Sequence, residues 1–100
     1  MPQMSSPSPH IARQLRIHGR VQGVYYRASM VEEAQRQGAA GWVRNRADGT
    51  VEALVQGAPD VVNALTEWAR RGPAQARVDR VDVADAPLQA PGGFAQVATL

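Results

Sequence analysis

Cysteine and lysine are both missing from this chain of 100 residues. Without cysteine there is no disulfide, no thiol nucleophile and no zinc–thiolate centre. The same absence is compatible with a reducing cytosol, and a cytoplasmic location is the expectation. Without lysine, all eleven basic side chains are arginine, which reads as a compositional bias of the source genome. Long apolar runs are missing too. No stretch approaches the roughly 18 residues that a membrane-spanning helix needs. The opening "MPQMSSPSPH" has no apolar h-region and is not a secretory signal. The formal net charge is only +2, although the sequence pI is 9.9. A high pI points to nucleic acid only when the charge gathers on one face. Here Arg13, Arg16, Arg20, Arg36, Arg44, Arg70, Arg77 and Arg80 are spread among acids, so no nucleic-acid partner is expected.

What is present suits one small globular domain. Apolar residues make up 44% and charged residues 20%, ordinary for a soluble protein. A chain of this length buries roughly 60–65% of its unfolded surface, enough for one core. Residues 1–11, rich in proline and serine, read as a disordered lead-in, and residues 12–100 as the folded domain. Met4 is a second candidate start. "IARQLRIHGRV" alternates at Ile11, Leu15 and Ile17, a half-buried strand. From about Val24 to Gln37, Tyr26, Met30 and Ala34 form a helical stripe that Gly38 ends. "AAGWVRNR" and "TVEALVQG" flank Ala47-Asp48-Gly49, a strong hairpin signal. "APDVVNALTEWARRGP" is a second helix: Pro59 and Asp60 suit its start, Val61, Leu65 and Trp68 one face, Gly72-Pro73 its end. "RVDRVDVADA" is a fourth strand, and "GGFAQVATL" a weaker fifth.

The order β-α-β-β-α-β predicts an α+β, ferredoxin-like sandwich: an antiparallel sheet of four or five strands with two helices on one face. That fold serves many functions and decides none. The informative stretch is "GRVQGVYYR", residues 19 to 27, which joins the first strand to the first helix. A helix N-terminus leaves backbone N–H groups unpaired and carries partial positive charge. Glycines let the preceding backbone curl into a nest for an anion, phosphate above all. Arg27, near the first helical turn, can grip two oxygens at once. Tight-turn glycines and a solvated arginine would give the same pattern, so these features alone leave both readings open. The Gly-Lys-Ser/Thr of a P-loop and the G-x-G-x-x-G spacing of a dinucleotide fold are both missing. Asn45, near the end of the second strand, could equally be a turn asparagine bonded to its own backbone.

Together the two segments resemble the signatures of the acylphosphatase family. "GRVQGVYYR" looks like the first: Gly-Arg-Val-Gln-Gly-Val, an aromatic residue and arginine. "GWVRNRADGTVEALVQG" looks like the second, with Trp42, Asn45, Asp48, Gly49, Val51 and Gly57 in place. The resemblance covers about residues 12 to 98. It implies a sandwich of five antiparallel strands and two helices, and metal-independent hydrolysis of carboxyl-phosphate anhydrides without a cofactor. By the resemblance, Arg27 binds phosphate and Asn45 orients the attacking water. Arg20, Val21, Gln22, Gly23, Val24, Tyr25 and Tyr26 form the phosphate-binding loop through their backbone. Departures are few. Tyr26 stands where phenylalanine is commoner, Arg46 where some members have threonine, and the basic residue usual near the end is missing.

The chemistry implied needs few side chains. Phosphoryl transfer rests on positioning and charge stabilisation, and the departing carboxylate is already a stable anion near pH 7, so no general acid is required. The sequence accordingly shows no cluster of carboxylates for a metal. His10 lies in the lead-in and His18 on a strand's polar face. Trp42, Trp68 and Phe94 read as core anchors. Arg20 is a substrate contact or a solvated loop residue. The competing readings are a non-catalytic anion-binding or regulatory module of the same fold, an RNA-binding domain of this strand order, and a segment of a larger carbamoyl-transfer protein. The paired Arg27 and Asn45 disfavour the first, the missing RNP1 aromatics the second. The lead-in and the end just after the last strand favour a free-standing protein over the third. The expected partners are a small acyl phosphate and inorganic phosphate, as product and inhibitor, with nothing demanding more than a monomer.

Overall fold

In the computed structural model, which describes residues 9–89 and 92–100, seven elements follow one another. They are β1 (Ile11–Arg20), α1 (Tyr26–Gln37), β2 (Ala40–Asn45), β3 (Val51–Gly57), α2 (Pro59–Arg71), β4 (Arg77–Ala86) and β5 (Phe94–Gln96). The strands form one sheet in the order β4-β1-β3-β2-β5. The pairs β1–β3, β1–β4 and β2–β3 are antiparallel. The short β5 adds to β2 in parallel, so the sheet is mixed at that edge, where a fully antiparallel sheet was expected. Most of the expected lead-in, residues 1–8, lies outside the described residues; His10 is exposed and β1 starts at Ile11.

The pairing register sorts the side chains. Leu15, Ile17, Val43, Val51, Ala53, Val55 and Val81 point to the side of the sheet that carries the helices and join one core. Helix α1 packs on β2 and β5, and α2 on β1, β3 and β4. Tyr26, Met30 and Ala34 are the buried stripe of α1, as the spacing predicts. In α2 the deepest residues are Val62, Leu65, Thr66 and Ala69; Val61 and Trp68 flank them, half-buried. Phe94 is in the core. Trp42 is not: it shares the opposite sheet face with Leu54, and its ring lies 4.7 Å from the Arg44 guanidinium carbon. Alternation puts it there, because Val43 takes the inward place next to it.

That opposite face is held by charge. Glu52 is buried in the middle of the sheet, bonded to Gln14 and reached by Arg44 at 2.9 Å, Arg46 at 3.2 Å and Arg16 at 3.7 Å. Burial alone would push its carboxyl up, but the hydrogen bond and charge of Arg44, with the charges of Arg46 and Arg16, hold it below the ordinary carboxylate range. A depressed folded value stabilises the fold at neutral pH, and that contribution is lost as the pH falls through it.

Candidate active site

The loop between β1 and α1 is built by alternate anchoring. Val21 and Val24 are buried, while Gly23 and Tyr25 face solvent. Gly19 and Gly23 do different work. A side chain on Gly19 would meet the Arg77 carbonyl oxygen at 2.1 Å, so β1 can pass β4 there only without one. Gly23 has open space around it but a φ of 74°, which glycine adopts without strain. Tyr25 follows at φ 64°. These two left-handed residues delay the helix, which begins at Tyr26 and not near Val24 as its periodicity predicts.

The curl leaves donors without acceptors. Among the described residues, no carbonyl or side chain accepts from the backbone N–H groups of Gln22, Gly23, Val24 or Tyr25. Helix α1 has no side-chain cap and no acidic residue in its first turn. Tyr26 turns its ring inward, tilted on Trp68 at a centroid distance of 5.5 Å, and its hydroxyl donates to the Ala69 carbonyl at 2.7 Å. Burial pushes its phenol far above the ordinary range, so it stays a neutral anchor.

Arg27 is the next residue, and its lack of a partner sets it apart. Arg13, Arg16, Arg36, Arg44, Arg46, Arg70, Arg77 and Arg80 all sit within ion-pair distance of a carboxylate. Arg20, Arg27 and Arg71 have no such partner among the described residues. Of these three only Arg27 is half-buried; Arg20 and Arg71 are exposed. A guanidinium taken partly out of water without a counter-charge is costly. It faces a cleft of about 390 Å³ lined by Val21, Gly23, Tyr25, Tyr26, Arg27, Ala28 and Gln96.

Asn45 ends β2 on the helix-bearing side, opposite Val51. Its Oδ1 is buried and has no hydrogen-bond partner among the described residues, a cost of about 1–3 kcal/mol unless something donates to it. It does not line the cleft wall. Two sets of bonds tie it to that wall. The Gln22 side-chain amide donates to the carbonyls of Arg46 and Thr50, both at 2.9 Å, which pins the loop to the hairpin directly after Asn45. From the other side Val97 N donates to Val43 O and Leu100 N to Asn45 O, and β5 sets Gln96 beside Val43. The turn itself is closed by Asp48, whose carboxylate accepts from the Thr50 amide and hydroxyl.

A larger cavity, about 770 Å³, lies between the end of α1 and the β2–β5 edge. Its wall holds Gln35, Trp42, Phe94, Val97 and small residues, and no ionisable side chain. Among the described residues, no three His, Cys, Asp or Glu side chains gather as metal ligands, and no helix is long and apolar enough to cross a membrane.

The sequence model of the acylphosphatase family matches residues 13–96. The chain belongs to the acylphosphatase family. It is a hydrolase acting on acyl phosphates. A curated acylphosphatase from Acidovorax sp. (strain JS42) is 58% identical over 97 residues, covering 97% of this chain and all of that protein. The structure of an acylphosphatase from Coxiella burnetii superposes with a TM-score of 0.85 at 32% identity, over 88% of this chain and 93% of the other. The fold also recurs inside a larger protein. Full-length HypF, in a phosphate- and nucleotide-bound form, matches 94% of this chain with 13% of its own, at a TM-score of 0.86 and 25% identity.

In this acylphosphatase the structure brings Val21, Gly23, Tyr25, Tyr26, Arg27 and Gln96 to one cleft; Gln22 and Val24, expected in the same loop, do not line it. Arg20 stands outside it, exposed at the end of β1 opposite Arg77. The sequence signatures contain Gln22 but not what its side chain does, because the two carbonyls it holds lie in the other signature. Gln96 carries no local signal at all; only the docking of β5 brings it in.

Proposed function

We propose that this acylphosphatase works without a metal, holding the phosphoryl group of its substrate with the unpaired loop N–H groups and the Arg27 guanidinium. The carrying observation is that Arg27 is the half-buried arginine with no carboxylate partner among the described residues. It stands at a helix start that has no acid of its own. Such donors are aimed at charge that develops on the phosphoryl oxygens during transfer. Asn45 orients the attacking water, which donates to its buried Oδ1. The water oxygen bonds to phosphorus as the bond from phosphorus to the carboxyl oxygen breaks. The acyl carboxylate leaves with that electron pair, and the water proton passes to a phosphate oxygen. Asn45, a poor base, contributes through orientation.

The same reading makes inorganic phosphate a competitive inhibitor and the protein a cytoplasmic monomer with no nucleic-acid partner. It takes residues 12–100 as the catalytic domain, to which the structure adds Ile11 as the first residue of β1. The family match over residues 13–96 supports that boundary, and the pairing of most other arginines with acids supports the lack of a nucleic-acid face.

The test is benzoyl phosphate hydrolysis in excess EDTA, with Arg27→Ala alongside. Turnover that survives EDTA and is lost in the variant is expected. Turnover abolished by EDTA would overturn metal independence. No turnover from well-folded wild type would leave a non-catalytic anion-binding module.

A further inference from the structure

We propose that Tyr25 reads the acyl half of the substrate and gives this enzyme a preference for acyl phosphates with a planar, apolar acyl group over small ones such as acetyl phosphate. The inference rests on the phosphate reading of the cleft given above.

The fold does not account for Tyr25. It is the one non-glycine residue at positive φ among the described residues; glycine takes the other such positions. A side chain in the left-handed region carries strain that glycine would not. Nor does the ring repay the fold. Tyr25 is 77% exposed, the most exposed of the large apolar residues. Its hydroxyl has no hydrogen-bond partner and its ring no aromatic neighbour among the described residues. The contrast with Tyr26, one residue on, is complete: that ring is buried and its hydroxyl is bonded. What Tyr25 gives the fold is its carbonyl, which accepts from Ser29 N in the first turn of α1, and any residue could supply that.

Its position supplies a role. Tyr25 borders the same cleft as Arg27 and Gln96. A phosphoryl group drawn to the loop N–H groups and Arg27 occupies the polar end. The acyl group, joined to it through one oxygen, must extend outward past the residues at the rim. Of the apolar residues that line the cleft, Val21 and Tyr26 are buried and Ala28 is small, whereas the exposed Tyr25 ring can stack on a planar acyl group and remove the two contacting faces from water.

The experiment compares kcat/KM for benzoyl phosphate and acetyl phosphate in the full chain and in Tyr25→Ala, Tyr25→Gly and Tyr25→Phe. Wild type is expected to favour benzoyl phosphate. The benzoyl-to-acetyl ratio is expected to fall about five- to tenfold in the alanine and glycine variants, through a higher KM for benzoyl phosphate, and to survive in Tyr25→Phe. The glycine variant suits the backbone angle, so misfolding does not confuse its result. Equal losses on both substrates would assign Tyr25 a purely structural role and overturn the inference, as would an unchanged ratio. A phenylalanine variant that behaves like alanine would overturn stacking. Wild type that hydrolyses neither substrate would overturn the reading of the cleft, and this inference with it.

Discussion

Helix α2 begins with Pro59 and Asp60; helix α1 begins with Tyr26 and Arg27. The first start is partly satisfied from within. Proline has no N–H to leave unpaired, and the Asp60 carboxylate accepts from the Val61 amide at the positive end of the helix dipole. The second start gathers unsatisfied positive character: bare N–H groups, no acid in the first turn, and a guanidinium without a counter-ion. Both helices pack on the same sheet face. The difference teaches that the end of this molecule proposed to hold phosphate is recognised by what the fold leaves undone. The arginines around Glu52 make the same point, since their charge is spent inside the protein.

The comparison can be broken most severely at Arg27. Arg27→Lys keeps the charge but loses the two-pronged grip, and kcat/KM is expected to fall about 10²–10³-fold with little change in Tm. Near-wild-type turnover would remove Arg27 from the mechanism. Asn45→Ala should lower kcat by about 10²-fold while inhibition by inorganic phosphate stays within about threefold; equal losses would make Asn45 a phosphate ligand and not a water holder. A smaller effect sharpens the contrast between the helices. Ala28→Glu gives α1 the acid that α2 already has, so phosphate inhibition should weaken about fivefold while the helix gains about 0.3–1 kcal/mol, a Tm rise of a few degrees. Phosphate inhibition that does not change would mean the anion is not held at the helix start. Smallest is Asp60→Ala, which should cost about 0.5 kcal/mol in chemical denaturation and leave turnover as it was; a loss of activity would show the two helix starts to be coupled.

Much of this was open to reading in the chain itself. Period-two alternation gave β1 and β4, the Tyr26, Met30, Ala34 spacing gave α1, and Asp48-Gly49 gave the hairpin. Arg27 and Asn45 stood out through the two family signatures. The remainder depended on contacts that no local pattern encodes. Gly41, Trp42 and Val43 are three consecutive residues without charge, so alternation alone could not say which face Trp42 takes. The direction of β5 depends on docking of a three-residue strand to an edge. The late start of α1 follows from Tyr25 in a conformation that its residue type disfavours. The Gln22 bridge joins positions far apart in sequence, and only the folded chain shows its two acceptors.

Gly72, which ends α2, reaches further than a helix stop. A Cβ there would lie 2.8 Å from the Tyr26 ring, the buried anchor immediately before Arg27. With Arg27 in its proposed role, residue 72 would therefore score as part of the active site in a selection for turnover. A map of tolerated substitutions would extend the catalytic footprint across the helical layer, to a position with no chemistry of its own.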